Sequence, residues 1–367
     1  MTTLRRSMIL RLVPVAFGLA LAAALLAVAG CAKDTERAVA GSASPVAVEA
    51  AFVGNAVCGG CHGTEFDHHR TSRHAATMRT ADMVSLGKLA PKPGPIPDSD
   101  YAVSEQAGRL HFERRDKPAA SGEIAYALGS GKYAMTYVGE IGPQRLTEYR
   151  MTYLPARRAW CVTPGQGALG NLNLGDKREM GVARKCILCH AVKTRPDSVG
   201  PAEGFLGVGC ESCHGAGSAH VAAMRSGAPA DRKMEDLRKA PADRIDAVCT
   251  RCHRSLNDVS LESEDASQSA RFQGYGLEQS ACFRKSGGRL SCVTCHNPHT
   301  DVSTDRTAFV KACLTCHSTV SRQNKVCPVN PREGCIECHM PRRQTFPDQH
   351  IPISMADHRI MAYRHPK

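Results

Sequence analysis

The pentapeptide Cys-x-x-Cys-His occurs seven times in 367 residues, and no other feature restricts the fold as severely. The copies begin at Cys58, Cys186, Cys210, Cys249, Cys292, Cys313 and Cys335 and read CGGCH, CILCH, CESCH, CTRCH, CVTCH, CLTCH and CIECH. Their second thiols are Cys61, Cys189, Cys213, Cys252, Cys295, Cys316 and Cys338. The closing residues are His62, His190, His214, His253, His296, His317 and His339. This is the spacing of a c-type haem attachment signal. Two thiols add across the two vinyl groups of a haem, and the His that follows takes one axial position on the iron. Zinc is the competing reading, because the gaps from Cys189 to Cys210, Cys295 to Cys313 and Cys316 to Cys335 suit zinc ribbons. A disulfide framework is another. Neither requires the His. With 16 His in 367 residues, seven chance occurrences have odds of order 10⁻¹⁰.

Seven haems change what the composition means. Aromatics are 5% of the chain and Trp160 is the single tryptophan, thin for an ordinary core of this length. At about 48 residues per haem, the chain is expected to wrap porphyrin rather than pack on itself. The net charge of +12 falls to roughly +9 without Arg5, Arg6 and Arg11. Ionised propionates bring it to roughly +2. Basic residues are therefore expected to pair with propionates. No basic patch interleaved with aromatics points to nucleic acid.

Residues 1–30 read as a lipoprotein signal peptide, with Arg5, Arg6 and Arg11 before an apolar run from about Leu12 to Ala29. Its end, Val28-Ala29-Gly30-Cys31, resembles a bacterial lipobox and implies acylation of Cys31. A retained helix and a simple secretory cleavage are the alternatives. Ala32 fits sorting to the periplasmic face of the outer membrane better than inner-membrane retention. Residues 31–50 read as a flexible tether. Residues 51–80 are the first haem segment, and 81–180 a β-rich insertion whose middle alternates in the manner of strands. Within it Gly129-Ser130-Gly131-Lys132 is a turn and not a phosphate loop, because Tyr126 stands where that loop needs Gly. Residues 181–367 form a six-haem domain. Helices are expected after Pro241, after a cap at Ser303, Thr304 or Asp305, and around His220.

Several stretches resemble the cytochrome c554-like, doubled-CXXCH multihaem cytochromes. They are Ser72-Arg73-His74-Ala75 after the first attachment phrase, GCESCHGAGSAHV, LSCVTCHNPHT, CIECHMP, and the closing Asp357-His358-Arg359-Ile360. The resemblance covers about residues 51–367 and is less specific in the β region. It implies a mostly α and irregular, haem-packed fold with a small antiparallel β insertion. It also implies that His74, His220 and His299 are distal ligands, with one or both of His350 and His358.

Nine His lie outside the phrases, namely His68, His69, His74, His111, His220, His299, His350, His358 and His365, so bis-His ligation is the default. His299 lies three residues after His296 and cannot reach the opposite face of the same iron; as a ligand it serves a neighbouring haem. The argument holds less strictly for His220 after His214. Of the cysteines left over, Cys282 and Cys327 flank the fifth and sixth phrases and form a candidate disulfide, with Cys161 unpaired.

These features favour an exported, lipid-anchored carrier of electrons along seven covalently bound c-type haems. Its expected partners are other redox proteins: cytochromes, quinol-linked donors or terminal reductases. An oxidoreductase acting on a small nitrogen or sulfur compound at one open haem is the alternative, although no Cys-x-x-Cys-Lys motif is present. A filament or conduit subunit is a third reading.

Overall fold

Alternation along the chain builds the first half of the protein. The computed structural model describes residues 50–117, 119–167, 173–227, 233–259, 267–320, 325–347, 351 and 353–363. The signal segment, Cys31, His350 and His365 lie outside the described residues. Ten strands fall between residues 78 and 179. They are β1 Met78–Thr80, β2 Gly94–Pro95, β3 Tyr101–Gln106, β4 Arg109–Arg114, β5 Ser121–Glu123, β6 Tyr126–Leu128, β7 Met135–Ile141, β8 Arg145–Leu154, β9 Ala159–Val162 and β10 Gly175–Glu179.

The strands form two antiparallel sheets. One has the order β2-β3-β4-β5. In β4 every second side chain is buried, in β3 Tyr101 and Val103 are, and Val103 sits across from Phe112. Period-two burial of this kind is what a half-buried strand needs. The two-residue connection Ala107-Gly108 has φ of 50° and 80°, the left-handed pair that reverses a hairpin tightly. The second sheet has the order β1-β6-β7-β8-β10. The strand β8 is long enough to share one edge between two partners, β10 along Arg145–Tyr149 and β9 along Met151–Leu154. A bulge interrupts β7 between Thr136 and Val138. The turn before β7 uses Gly129 at φ 118°, where a Cβ would meet the Ala134 carbonyl oxygen at 2.3 Å.

Six of the eight tyrosines and the single tryptophan gather here. Leu110, Phe112, Ile124, Met135 and Tyr137 are fully buried. Tyr101, Phe112 and Tyr149 stack at 5.0 and 4.9 Å, and Trp160 packs on Tyr153 and Tyr137 at 5.0 and 5.8 Å. The β region thus has the apolar core that composition denies to the rest. The helix Met180–His190 docks on it through Ala183 and Ile187, against Met78, Leu146 and Val199. The second attachment phrase is therefore mounted on the sheet.

Beyond residue 190 the helices are short. Among the described residues there are thirteen α-helices, and only Met180–His190, Ala242–His253 and Arg306–His317 exceed eight residues. The helix Ala242–His253 begins directly after Pro241. The side chain of Asp305 accepts from Thr307 N–H and caps Arg306–His317. A hairpin of β11 Arg342–Gln344 and β12 Ser354–Ala356 closes the chain. Among the described residues twelve strands stand beside thirteen α-helices, a mixed α and β content. The physical reason is that an attachment phrase needs only one helical turn, whereas the β region must carry whole strands to bury its aromatics. Among the described residues no helix is long and apolar enough to cross a membrane.

Replacing Phe112, which is 0% exposed, by Ala is expected to destabilise the protein by about 3–5 kcal/mol. Chemical denaturation followed by far-ultraviolet circular dichroism measures this.

Candidate functional site

Each attachment phrase sits on one helical turn, and this puts its two thiols on one side of the backbone. The second, fourth and sixth phrases close the helices ending at His190, His253 and His317. The third, fifth and seventh open the helices Cys210–His214, Cys292–Cys295 and Cys335–His339. In the first phrase, Cys61 N–H and His62 N–H both donate to the Cys58 carbonyl, at 3.1 and 2.9 Å. Helices this short leave most of their amides without internal partners. The buried Glu211, inside the third phrase, supplies some of them from a distance. Its carboxylate accepts from the N–H groups of Val53 at 2.9 Å, Gly54 at 2.8 Å and Gly217 at 2.8 Å. One side chain thereby ties the first phrase to the third.

The imidazoles meet in twos. His62 faces His220 with ring centroids 6.4 Å apart, and His253 faces His74 at 6.1 Å. His214 faces His299 at 6.2 Å, and His296 faces His358 at 6.3 Å. In every pair one ring closes an attachment phrase and the other does not. Two imidazoles bound to opposite sides of one metal, at about 2.0 Å each, hold their centroids ~6.3 Å apart. Rotation about the shared axis leaves the angle between the rings free, and the observed angles run from 9° to 66°.

The hydrogen bonds at Nδ1 agree with ligation through Nε2. The Nδ1 of His190 lies 3.0 Å from the Thr77 carbonyl oxygen, that of His317 2.7 Å from Lys325, and that of His339 3.0 Å from Met361. His358 Nδ1 lies 3.0 Å from the carbonyl of Ala356, and His253 Nδ1 2.8 Å from Gln273 Oε1. A carbonyl only accepts, so a neutral ring donates from Nδ1 and keeps its Nε2 lone pair. Burial lowers His74, His190, His214 and His296 below the ordinary histidine value, and lowers His358 to about 4. The rings are neutral near pH 7, the form that binds iron.

Four of the His outside the phrases, His74, His220, His299 and His358, therefore stand opposite phrase imidazoles. His299 lies across from His214 and not from its sequence neighbour His296. His69 is buried near His299 and His74, and His111 lies in β4, paired with Ser104 and Glu123. Among the described residues no imidazole ring faces His190, His317 or His339.

Thiols of different phrases also meet. The Cys58 thiol neighbours Cys210, Cys189 neighbours Cys252, Cys249 neighbours Cys292, and Cys313 neighbours Cys335. Cys213 lies close to Cys249, and Cys313 close to Cys295. The proximity of Cys189 and Cys252 lowers the Cys189 thiol and raises Cys252. Numbered by phrase, the contacts run from one to three, three to four, four to both two and five, five to six, and six to seven. Cys282 and Cys327 are separate free thiols with no disulfide between them. Cys282 neighbours Cys295 and Cys316, whereas Cys327 lies by Cys335. Each thus belongs to the surroundings of a different phrase. Cys161 is half-buried in β9, where burial raises its thiol to about 11.

This arrangement suits haem. Val57, Leu188 and Val293, inside or beside attachment phrases, are 38%, 48% and 41% exposed, apolar surface that a porphyrin face would cover. Buried Asp246 aims an unpartnered oxygen Oδ2 beside the thiols of Cys249 and Cys292. Among the described residues no three His, Cys, Asp or Glu side chains converge as a zinc site requires.

Residues 164–215, with the second and third phrases, match the family model of cytochrome c554 and c-prime. No curated protein matches the chain. Among solved structures, the outer cell wall cytochrome OcwA aligns with 84% of this chain and 79% of its own at 14% identity and a TM-score of 0.48. An undecaheme cytochrome from the S-layer of Carboxydothermus ferrireducens aligns with 82% of this chain and 52% of its own, at 17% identity and a TM-score of 0.43.

Replacing Glu211 by Ala strands three backbone amides at once. A loss of about 3 kcal/mol or more is expected, since each unmet buried donor costs roughly 1–3 kcal/mol. Denaturation of the variant beside the parent protein measures it.

Proposed function

We propose that this chain, a multihaem c-type cytochrome, is an exported, lipid-anchored carrier that holds seven covalent haems and passes electrons between redox partners. The opposition of phrase and non-phrase imidazoles at 6.1 to 6.4 Å carries this reading. When bound, haem supplies one-electron iron chemistry. The chain's part is to grip each group by two thiols, close its axial positions and set the order of neighbours.

On this reading His220 is the second ligand opposite His62, and His74 opposite His253. His299 takes that role opposite His214, and His358 opposite His296. Paired imidazoles fill both axial positions, favour low potentials and leave no room for a substrate. His190, His317 and His339 turn Nδ1 to carbonyl oxygens, which fixes their rings for the same role. His350 is the candidate second ligand from the closing segment. Thiol contacts support a route from the first phrase through the third, fourth, fifth and sixth to the seventh, with the second as a side branch from the fourth.

The run Val28-Ala29-Gly30-Cys31 supports acylation at Cys31, and Ala32 supports the periplasmic face of the outer membrane as the site of action. Cytochromes, quinol-linked donors and terminal reductases are the partners that low-potential haems of this kind serve.

Haem content and electron paramagnetic resonance of one oxidised sample test the proposal. Seven haems per chain and low-spin ferric signals from the four paired sites are expected. His220→Ala and His299→Ala are each expected to convert one haem per chain to high spin. Spectra indifferent to both substitutions overturn the ligand assignment. Catalytic consumption of nitrite or hydroxylamine at a high-spin haem of the parent protein overturns the carrier reading.

A further inference from the structure

The first thiols of two phrase pairs are brought together by the same device. In the helix Asn55–Gly59, the Asn55 side-chain oxygen accepts from Cys210 N–H at 2.9 Å. In the helix Ala242–His253, Asp246 Oδ1 accepts from Cys292 N–H, also at 2.9 Å. Cys210 and Cys292 are the first residues of their own short helices, so these amides have no intrahelical acceptor. Asn55 and Asp246 each stand three residues before an attachment cysteine, Cys58 and Cys249, and share a helix face with it. Each bond therefore docks one attachment helix onto another. The thiols it brings into contact are Cys58 with Cys210 and Cys249 with Cys292. At the other five phrases this position holds Ala183, Gly207, Arg289, Val310 or Arg332, none with a short side-chain acceptor.

The two docks differ in charge. Asn55 is a neutral amide. Asp246 carries a carboxylate, is 7% exposed, and keeps Oδ2 buried without a hydrogen-bond partner. A buried carboxylate with one oxygen unpartnered acts on its neighbours through a low-dielectric interior. Ferric haem carries one positive charge more than ferrous haem, so a nearby anion favours the oxidised state.

We propose that Asn55 and Asp246 are positioning residues that dock the first phrase on the third and the fourth on the fifth, and that the Asp246 carboxylate holds the fourth and fifth haems at lower potential than a neutral dock does. The proposal rests on the haem assignment made above.

The test is a spectroelectrochemical titration of the full haem-loaded protein and three variants, with peptide mass to locate haem and Soret circular dichroism to report coupling of neighbouring haems. Asp246→Asn keeps an acceptor for Cys292 N–H and removes the charge. It is expected to move two midpoint potentials upward and leave the Soret couplet in place. Asn55→Asp adds the charge to the other dock and is expected to move two midpoints downward. Asp246→Ala removes acceptor and charge together and is expected to raise the potentials and weaken the couplet. Unchanged midpoints in both Asp246→Asn and Asn55→Asp, with haem present at every phrase, overturn the role of the carboxylate and leave the haem assignment standing. An intact couplet in Asp246→Ala overturns the docking role. Absence of haem at Cys249 or Cys292 in the parent protein overturns the haem assignment and this inference together.

Discussion

The structure depends on imidazoles from distant parts of the chain standing opposite one another. His62 with His220, His74 with His253, His214 with His299 and His296 with His358 each join segments that sequence separates. No two of these pairs share a ring. His62 and His74 reach forward to the stretch after the third phrase and to the fourth phrase. The third reaches the stretch after the fifth, and the fifth reaches the closing segment. A metal between each pair would make every such crossing a tie, and ligation would then take the place that a hydrophobic core holds elsewhere. The short helices then need little packing of their own, and few of their residues are buried.

The β region obeys the opposite economy. Its sheets bury Phe112, Tyr137, Leu110 and Met135 completely and stack their aromatics. Six of the chain's eight tyrosines and its tryptophan are used here, and one phrase is mounted on the result through Ile187 and Ala183. Other phrases are joined by polar bonds. Glu211, Asn55 and Asp246 reach from one phrase to the amides of another, so the same short helices that leave amides unmet also supply the groups that meet them.

Much of this was legible in the residues. The phrases fall, as expected, on single helical turns. Pro241 and the run Ser303-Thr304-Asp305 marked helix starts, the structure choosing Asp305 as the cap, and alternation marked β3, β4, β7 and β8. The position of His299 ruled out its own phrase as a partner, and the ring that it does face belongs to the third. The identity of that partner was not legible, because it depends on the path of the chain through space and on no local pattern. The hairpin β11–β12 escaped for a related reason: three-residue strands carry too little alternation to read. Flanking position suggested a bond between Cys282 and Cys327, yet the fold sends them to different phrases. Asn55 and Asp246 did leave a signal, a short polar side chain three residues before an attachment cysteine, which gains meaning only beside the amide that it meets.

The most direct measurement is an experimental structure of the haem-loaded protein at a resolution that separates the axial ligands. This account predicts one iron between the rings of each of the four pairs, with His299 and His214 on the same iron. An iron bound by His214 whose other axial ligand is not His299, or four pairs whose rings enclose no iron, contradicts it.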